Sequence, residues 1–402
     1  MLKRILDFFG EQRATDYDPR FAPDAWGRGF MPATYPTSAA VLSNIAVAAR
    51  CVSLRSELLA SVPLKLYRRL PNGDRERVTD HPLSLVLGDL ANPLMTSFEL
   101  REFIVRSLDL HGNAYARIER NGRGQVTALW PWHPLAVQVQ QLESGRLRYR
   151  YTQSGQRGPI VLLQEEVLHV RASSDDGLLG RSPITICRAS LGVTIAQNET
   201  AGDLARSGYD VKGYIMQPGK VGPKTRGEKE RQANNESGRA GKVVALDEGA
   251  RFVPAAFSGQ DAELLASRQL SNQDTSHVFG VPPAVLGLND TVSYGSAAEA
   301  NRALIQHAIQ PLAERVEQAL MRCLLTADGR RQFFIEHDLN GLLRGSFKER
   351  FEGYRTAREI GVYSANDIRR IENENAIDGG DEYMRPVTLA GSSAPNDGGA
   401  IG

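Results

Sequence analysis

Three short runs of residues carry side chains that could do chemistry: His337-Asp338, Glu165-Glu166 and Asp175-Asp176-Gly177. Histidine beside aspartate could bind a metal, paired carboxylates could serve acid–base catalysis, and an Asp-Asp-Gly run is typical of half a calcium loop. Each pattern is incomplete. Neighbouring strand residues point to opposite faces, so the two glutamates are predicted at a loop edge. The calcium loop lacks its later acids and predicts a tight turn, and His337-Asp338 predicts a surface pair at a strand end.

Complete motifs for nucleotide binding or nucleophilic catalysis are absent from the sequence. There is no GxxxxGK[ST] loop, no GxGxxG between a strand and a helix, no GxSxG elbow and no HExxH pair. Cys51, Cys187 and Cys323 are far apart and lie on apolar helical faces, which predicts small core residues. We therefore predict no catalytic residue, no metal, no cofactor and no enzyme activity.

Length and charge narrow the class of protein. The chain has 402 residues, with 48 Lys+Arg against 47 Asp+Glu and a formal net charge of +1. The length predicts about two to four domains, and the charge argues against nucleic-acid binding by bulk positive charge. Few cysteines and no apolar run near the roughly 18–20 residues of a membrane span predict a soluble intracellular protein. The first twelve residues predict a short amphipathic helix rather than a signal peptide.

The first half of the chain predicts an α+β region over residues 37–175. It follows an extended arm at 11–36, whose isolated aromatic residues need another surface on which to dock. Apolar residues at helical spacing predict a helix over 38–60, and a Thr96-x-x-Glu99 capping box predicts a second over 97–110, ending at Gly112. A small, mostly antiparallel sheet is predicted from these segments: 114–119, 125–130, 137–139, 147–151, 159–163 and 167–171.

Two long rods are predicted on either side of a basic insertion. Ser182-Pro183 begins the first rod, which runs to about residue 207, and the second runs from about 258 to Gly280. Between them, residues 211–256 hold nine basic and five acidic side chains. The insertion is predicted to contain a strand, a charged helix and further strands. It is either a solvated lysine-rich surface or a docking face for an acidic partner or nucleic acid.

The last part of the chain predicts a loop, a long helix and a helical hairpin. The loop at 287–296 is either an ordinary surface loop or a mobile element that contacts a passing polyanion, since its small neutral residues suit sliding better than gripping. The helix at 296–326 is predicted to kink at Pro311. Helices at 346–360 and 364–374 flank Gly361, and the tail from Pro386 is predicted to be disordered.

Taken in order, several stretches resemble phage portal proteins, the ring-forming head–tail connectors of long-tailed phages and related phage-derived particles. The resemblance covers residues 37–383. The stretches that carry it are Val62-Pro63-Leu64-Lys65-Leu66-Tyr67-Arg68-Arg69, His81-Pro82-Leu83, Asn92-Pro93, Met95-Thr96-Ser97-Phe98-Glu99, Gly112-Asn113-Ala114-Tyr115-Ala116, Leu129-Trp130-Pro131, Val167-Leu168-His169-Val170-Arg171, Gly177-Leu178, Ser182-Pro183-Ile184, Phe279-Gly280-Val281-Pro282-Pro283 and 338–345.

The resemblance implies an α+β portal-type subunit that assembles as a ring of twelve. Its implied parts are an N-terminal arm (1–36), a wing (37–182 and 281–340), two stem helices (183–208 and 258–280), a small α/β clip (209–257), a long kinked helix (296–326), a short helical crown (341–385) and a disordered tail (386–402). The tunnel loop facing DNA would contain Asn289, Asp290, Thr291, Val292, Ser293 and Tyr294. The docking surface of the clip would contain Lys220, Lys224, Arg226, Lys229 and Arg231.

The resemblance also implies a function and partners. The ring would sit at one capsid vertex, nucleate capsid assembly and conduct double-stranded DNA during packaging and ejection. Its partners would be further copies of itself, double-stranded DNA, the major capsid protein, the large terminase and the head–tail adaptor, with no membrane. It would be found in the virion, and in the host cytoplasm during assembly. The alternatives from the residues alone are an enzyme on an α+β scaffold and a monomeric DNA-binding or scaffold adaptor.

Overall fold

The computed structural model describes residues 13–16, 37–152, 158–206, 214–216, 251–253, 260–288, 294–342, 347–372 and 374–384. The chain divides into two units, Met1–Asp338 and Leu339–Gly402. The helices are α1 (Ser38–Asn44), α2 (Ala46–Ser61), α3 (Pro82–Gly88), α4 (Ser97–His111), α5 (Pro183–Ile186), α6 (Arg188–Arg206), α7 (Gln260–Val278), α8 (Tyr294–Leu304), α9 (Gln310–Leu324), α10 (Gly329–Gln332), α11 (Phe347–Glu359) and α12 (Ala365–Ile371).

The strands are short, and most of them lie in the first half of the chain. They are β1 (Arg13–Asp16), β2 (Leu64–Arg69), β3 (Arg75–Arg77), β4 (Leu90–Asn92), β5 (Met95–Thr96), β6 (Asn113–Arg120), β7 (Val126–Trp132), β8 (Val137–Leu142), β9 (Leu147–Tyr151), β10 (Ile160–Leu163), β11 (Val167–Arg171), β12 (Tyr214–Met216), β13 (Arg251–Val253) and β14 (Phe333–His337).

Three antiparallel sheets organise the first unit, in the orders β11-β6-β7, β1-β8-β9-β10 and β14-β2-β3. The predicted α+β class is confirmed, and so are the strands predicted between residues 114 and 171. Two pairings were not expected from sequence. Strand β1, inside the predicted extended arm, pairs with β8, and Ile335 of β14 lies opposite Leu66 of β2. The second pairing joins segments about 270 residues apart and returns the chain to the sheet region, defined here as residues 37–182 and 281–338.

The capping box on α4 shows how local sequence defines a helix. Thr96 Oγ1 accepts from the Glu99 amide at 3.2 Å, and the Glu99 carboxylate accepts from the Thr96 amide at 2.7 Å. These two bonds satisfy donors that a helix start otherwise leaves unpaired. At the other end, Gly112 takes a left-handed conformation with φ +75°. Both predicted signals are confirmed, and the helix spans Ser97–His111.

The core of the sheet region combines apolar helix faces with an aromatic cluster. Tyr115, Trp132 and Tyr149 are each at most 5% exposed, and the rings of Trp132 and Tyr151 stack with centroids 4.5 Å apart. Burying side chains of this size contributes about 2–3 kcal/mol each, before the loss of conformational entropy is subtracted. The sheet region therefore has a hydrophobic core of its own.

Two predicted helices are each interrupted at one residue, although their apolar periodicity continues. The predicted helix over 38–60 breaks at Ile45, whose backbone is extended while its side chain is 1% exposed. The first predicted rod breaks at Cys187, between α5 and α6. Its start is confirmed, because Ser182 Oγ accepts from the Thr185 amide at 3.0 Å and Pro183 follows in the first turn.

Helices α6 and α7, here called the rod pair, meet through polar side chains. Gln197 Nε2 donates to Ser267 Oγ at 2.8 Å, and Ser271 Oγ donates to Gln197 Oε1 at 2.7 Å. By contrast, Val193 is 57% exposed and Leu270 is 62% exposed. The two rods therefore leave apolar side chains in solvent while they use hydrogen bonds against each other.

The second unit contains a helical hairpin. Its helices α11 and α12 are joined through Gly361, which has φ +75°. Tyr354 Oη and Arg350 reach from α11 to the Glu372 carboxylate, with the hydroxyl 2.8 Å from Oε1. The predicted helix–turn–helix is confirmed, and α12 ends at Ile371 rather than near residue 374.

Candidate functional site

Most of the residues predicted to act directly lie outside the described residues. This holds for the five basic residues assigned to the clip and for residues 289–293 of the predicted tunnel loop. Tyr294 is the first residue of α8. At the ends of the basic segment, β12 and β13 pair antiparallel, with Tyr214 opposite Val253. These strands agree with a small insertion between the two rods, and the roles of its basic residues stay a prediction.

Pro311 lies at the start of α9, directly after a π-helical turn at Ile305–Ile309. Proline has no N–H to donate and its ring crowds the carbonyl four residues earlier. In a π turn each N–H donates to the carbonyl five residues earlier, and the Gln310 N–H donates in this way to Ile305. The structure thus replaces regular helix by a π turn where the sequence predicted a disturbance, and a kink at Pro311 stays a prediction.

His337 is a correction to the predicted surface pair. It ends strand β14 as expected, but its side chain is fully buried, and Glu317 Oε1 accepts from both its backbone N–H and Nδ1 at 2.7 Å. Asp338 instead pairs with Lys65, with Nζ and Oδ2 2.6 Å apart. The pairing of β14 with β2 buries His337 here, which strand-end position alone does not predict. Both residues fasten β14 to its neighbours.

The two acidic runs, Glu165-Glu166 and Asp175-Asp176-Gly177, form turns, as predicted. Glu165 and Glu166 lie between β10 and β11. The Asp176 carboxylate accepts from the amides of Leu178 and Leu179 at 2.7 and 3.0 Å, and these bonds hold the Asp176 pKa below its usual value despite partial burial. Cys51 is buried as expected, and burial raises its thiol pKa to about 12, whereas Cys187 and Cys323 are only half-buried.

A buried polar network connects β6, β9 and β11. The Asn113 amide brackets Gly180, accepting from its N–H and donating to its carbonyl, each at 2.8 Å. His169 Nε2 lies 2.9 Å from Asn113 Oδ1, and its Nδ1 lies 3.1 Å from the Tyr149 hydroxyl. Because Asn113 Oδ1 is an acceptor, Nε2 carries the imidazole proton and Tyr149 donates to Nδ1. Burial lowers the His169 pKa well below its usual value, so the ring stays neutral.

A second buried cluster joins α2, α4 and the end of α7. Arg55 Nε lies 3.1 Å from Asp109 Oδ2, and its guanidinium also donates to the carbonyl of Phe279, which is fully buried. Burial raises the Asp109 pKa to about 6, and the adjacent Arg55 charge opposes that rise. The cluster fixes the exit of the second rod to the sheet region. No pattern used above predicted this cluster, although a carboxylate among the apolar positions of α4 was a signal for it.

These groups are engaged in holding the fold, and none forms a nucleophile with its base. In the ranges that the structure describes, no group of three or more metal-ligating side chains comes together. Over the same ranges, no helix has both the length and the apolar character needed to cross a bilayer.

Comparison with known proteins gives consistent matches over most of the chain. The family described as "Phage portal protein" matches residues 46–373. The portal protein of Enterobacteria phage HK97 is 31% identical over 367 residues, covering 87% of this chain and 85% of that protein. The probable portal protein of Streptomyces phage phiC31 is 29% identical, covering 84% of this chain and 77% of its own length.

The fold is also that of a chain in a solved particle neck. A chain in the neck of the native gene transfer agent (GTA) particle, computed with C12 symmetry, superposes with a TM-score of 0.57 at 21% identity, covering 86% of this chain and 96% of that one. Portal proteins are structural components of the particle neck rather than enzymes. From a family match over residues 46–373, a relative at 31% identity and a shared fold, this chain belongs to the phage portal protein family.

Proposed function

We propose that this chain forms a twelve-membered ring at one capsid vertex and conducts double-stranded DNA during packaging and ejection. The same ring serves as the docking platform for the large terminase and then for head–tail adaptor proteins, contacts the major capsid protein and nucleates capsid assembly. It assembles in the host cytoplasm and resides in the virion. Family membership and the C12 symmetry of the gene transfer agent neck support this proposal.

The observation that carries the proposal is the composition of the rod pair. Two helices of 19 residues each meet through Gln197 and two serines, while Val193 and Leu270 stay more than half exposed. Apolar side chains on both rods gain free energy when neighbouring copies cover them, at roughly 25 cal/mol per Å² of apolar surface. In the ring, the rods are the stem, the insertion between them is the clip, the sheet region is the wing and α11–α12 belong to the crown.

The near-neutral chain suits a conduit. Lys+Arg number 48 against 47 Asp+Glu, so the whole subunit does not hold DNA by bulk charge. A polyanion slides past a surface that neutralises few of its phosphates, whereas many cationic contacts would bind it tightly. Loop 287–296 supplies the sliding contact, and the basic residues of the clip bind acidic surfaces of the motor and adaptor.

Ring formation is tested by size and by a matched pair of variants. Gel filtration and negative-stain electron microscopy of the purified chain should give rings of about 530 kDa, twelve times the 44.1 kDa subunit. Leu270→Ser should lower the ring fraction by about tenfold or more, because a leucine side chain loses its buried contact. Leu85→Ser is the control, since Leu85 is equally exposed at 62% but lies in the sheet region. A chain that stays monomeric, or equal loss in both variants, contradicts the proposal.

The conduit is tested separately from the ring. Deleting Asn289–Gly295 should leave rings intact and reduce the amount of DNA packaged or retained per particle. Failure of the deletion variant to form rings would contradict the tunnel-loop assignment, as would full packaging with intact rings.

A further inference from the structure

A cleft of about 540 Å³ lies between strands β9 and β11 on one side and the C-terminal end of α9 on the other. Alternate residues of β9 and β11 form its floor, since Leu147 and Tyr149, and Val167, His169 and Arg171, face the same side of their strands. The C-terminal turns of α9 form its opposite wall. We call it the arginine cleft, after Arg120, Arg171 and Arg322 on its walls.

The three arginines come from three different elements and use only backbone acceptors. Arg171 donates to the Gly177 carbonyl, Arg322 donates to the His169 carbonyl at 2.8 Å, and Arg120 donates to the carbonyls of Gly124 and Cys323. No carboxylate among the described residues forms an ion pair with any of the three, although Asp176 acts on Arg171 from a distance. Each guanidinium has five N–H groups, so most of the donors of Arg171 and Arg322 remain available.

The positive charges also oppose one another. Burial, and then the neighbouring charge of Arg322, lower the pKa of Arg171. Like charges held together in a partly buried recess are destabilising unless an anion neutralises them. The Glu165 carboxylate on the rim does not supply that anion, because it is paired with Arg146 at 3.0 Å.

The floor of the cleft is neutral and fixed. His169 keeps its proton on Nε2, and its Nδ1 accepts from the Tyr149 hydroxyl, so neither group changes charge near neutral pH. Burial also raises the Tyr149 pKa, which keeps its hydroxyl protonated. Selectivity in this recess therefore depends on the three guanidinium groups.

We propose that the arginine cleft binds a phosphate or diphosphate group, either as the free anion or as part of a nucleotide. Guanidinium forks bind tetrahedral oxyanions through paired N–H donors, and a group with two or three negative charges balances three arginines better than one carboxylate does. The volume exceeds that of a single phosphate and lies in the range of small-molecule sites, which leaves room for a larger body on the phosphate. The recess is closed on its floor, which favours a small ligand over duplex DNA.

The test is calorimetric titration of the full-length chain with sodium phosphate, sodium diphosphate and ATP, with a 20-base-pair DNA duplex as a fourth probe. At least one of the three small anions should bind, more weakly as KCl is raised. Arg171→Ala and Arg322→Ala should each weaken binding by at least about tenfold, and Arg322→Lys by less, because it keeps the charge and loses the fork. Binding of phosphate and diphosphate identifies the free anion, and binding of ATP alone identifies a nucleotide.

Arg50→Ala is the matched control, because it removes an exposed arginine that is already paired with Glu57. It should leave binding unchanged. Thermal unfolding of each variant separates lost binding from lost folding, and the lysine variant preserves the test if Arg322→Ala fails to fold. Absence of binding by all three small anions, binding by the duplex alone, or the same loss in Arg50→Ala would overturn the proposal.

Discussion

The sheet region and the rod pair differ in where their hydrogen-bonded polar side chains lie. In the sheet region, Asn113 and His169 lie inside the protein and each has its partners within hydrogen-bond distance. In the rod pair, Gln197 and two serines make the contact between helices, and Leu270 remains in solvent. A network that is both buried and satisfied stabilises one subunit, whereas the described hydrogen bonds between the rods are partly exposed and apolar side chains of both rods are left for other copies.

The largest effect should come from closing the space between Gly112 and Gly180. A Cβ on Gly180 would overlap the Gly112 carbonyl oxygen and the Ala172 amide, which are backbone atoms with no freedom to move aside. Gly180→Ala should lower the free energy of unfolding by about 4 kcal/mol or more. The control is Gly122→Ala, whose added methyl group meets nothing within 4 Å. Denaturant unfolding measures both, and a change below about 1 kcal/mol in Gly180→Ala would contradict the tight approach.

A smaller but still large loss should follow Asn113→Ala. The substitution leaves His169 Nε2 and both polar groups of the Gly180 backbone without their partner inside the protein. Buried groups left unpaired cost about 1–3 kcal/mol each, with partial relief by water, so we expect a total loss of about 3 kcal/mol. Asn72→Ala serves as control, because Asn72 makes its hydrogen bonds on the exposed turn to Asp74. Equal losses in the two variants would refute the role of the network.

His169 should also make the sheet region sensitive to acid. The pKa of His169 is lowered in the folded state, mainly by burial and then by the charges of Arg171 and Arg322. At mildly acidic pH the ring is therefore protonated in the unfolded state and neutral in the folded state. The contribution of the neutral His169 ring to the free energy of unfolding is therefore complete above the unfolded-state pKa of about 6.5. Below that pH the contribution is lost by up to about 1.4 kcal/mol per pH unit. Chemical unfolding from pH 7.5 to 5 should show a shallower decline for His169→Gln than for the wild type. Parallel declines would show that the ring is protonated in the fold.

The smallest effect should come from the rods. Gln197→Ala removes two partly exposed hydrogen bonds, and we expect it to lower the free energy of unfolding by less than about 1 kcal/mol. Denaturant unfolding at a concentration where the chain is monomeric measures this. A loss as large as that of Asn113→Ala would mean that the rods support the subunit as much as the sheet region does.

Signals within a few residues were sufficient for many elements. The Thr96 capping box, Gly112 and Ser182-Pro183 specified helix ends because they act on backbone groups at most four residues away. The alternation in 147–151 gave β9 with the predicted bounds. Boundaries failed at Ile45, whose burial accompanies the break, and at Cys187, where the periodicity continues through the break.

The candidate sites depended more strongly on distant parts of the chain. The arginine cleft brings together residues 120, 171 and 322, and their spacing in the sequence does not predict that they meet. Arg55, which pairs with Asp109, likewise donates to the Phe279 carbonyl, 224 residues further along the chain. The order of the short stretches that carry the resemblance still indicated the family, because each stretch forms its local structure independently of its distant partners.

The sequence by itself determined the helix caps, the alternating strands, the placement of two rods around a basic insertion, and the resemblance that led to the portal family. Only the tertiary structure decided that His337 is buried against Glu317, that β14 returns to β2, and that three arginines face one recess. The physical reason is the separation along the chain over which each effect acts. Caps and periodicity act through backbone groups and faces a few residues apart, whereas burial and the meeting of charges depend on which distant elements pack together.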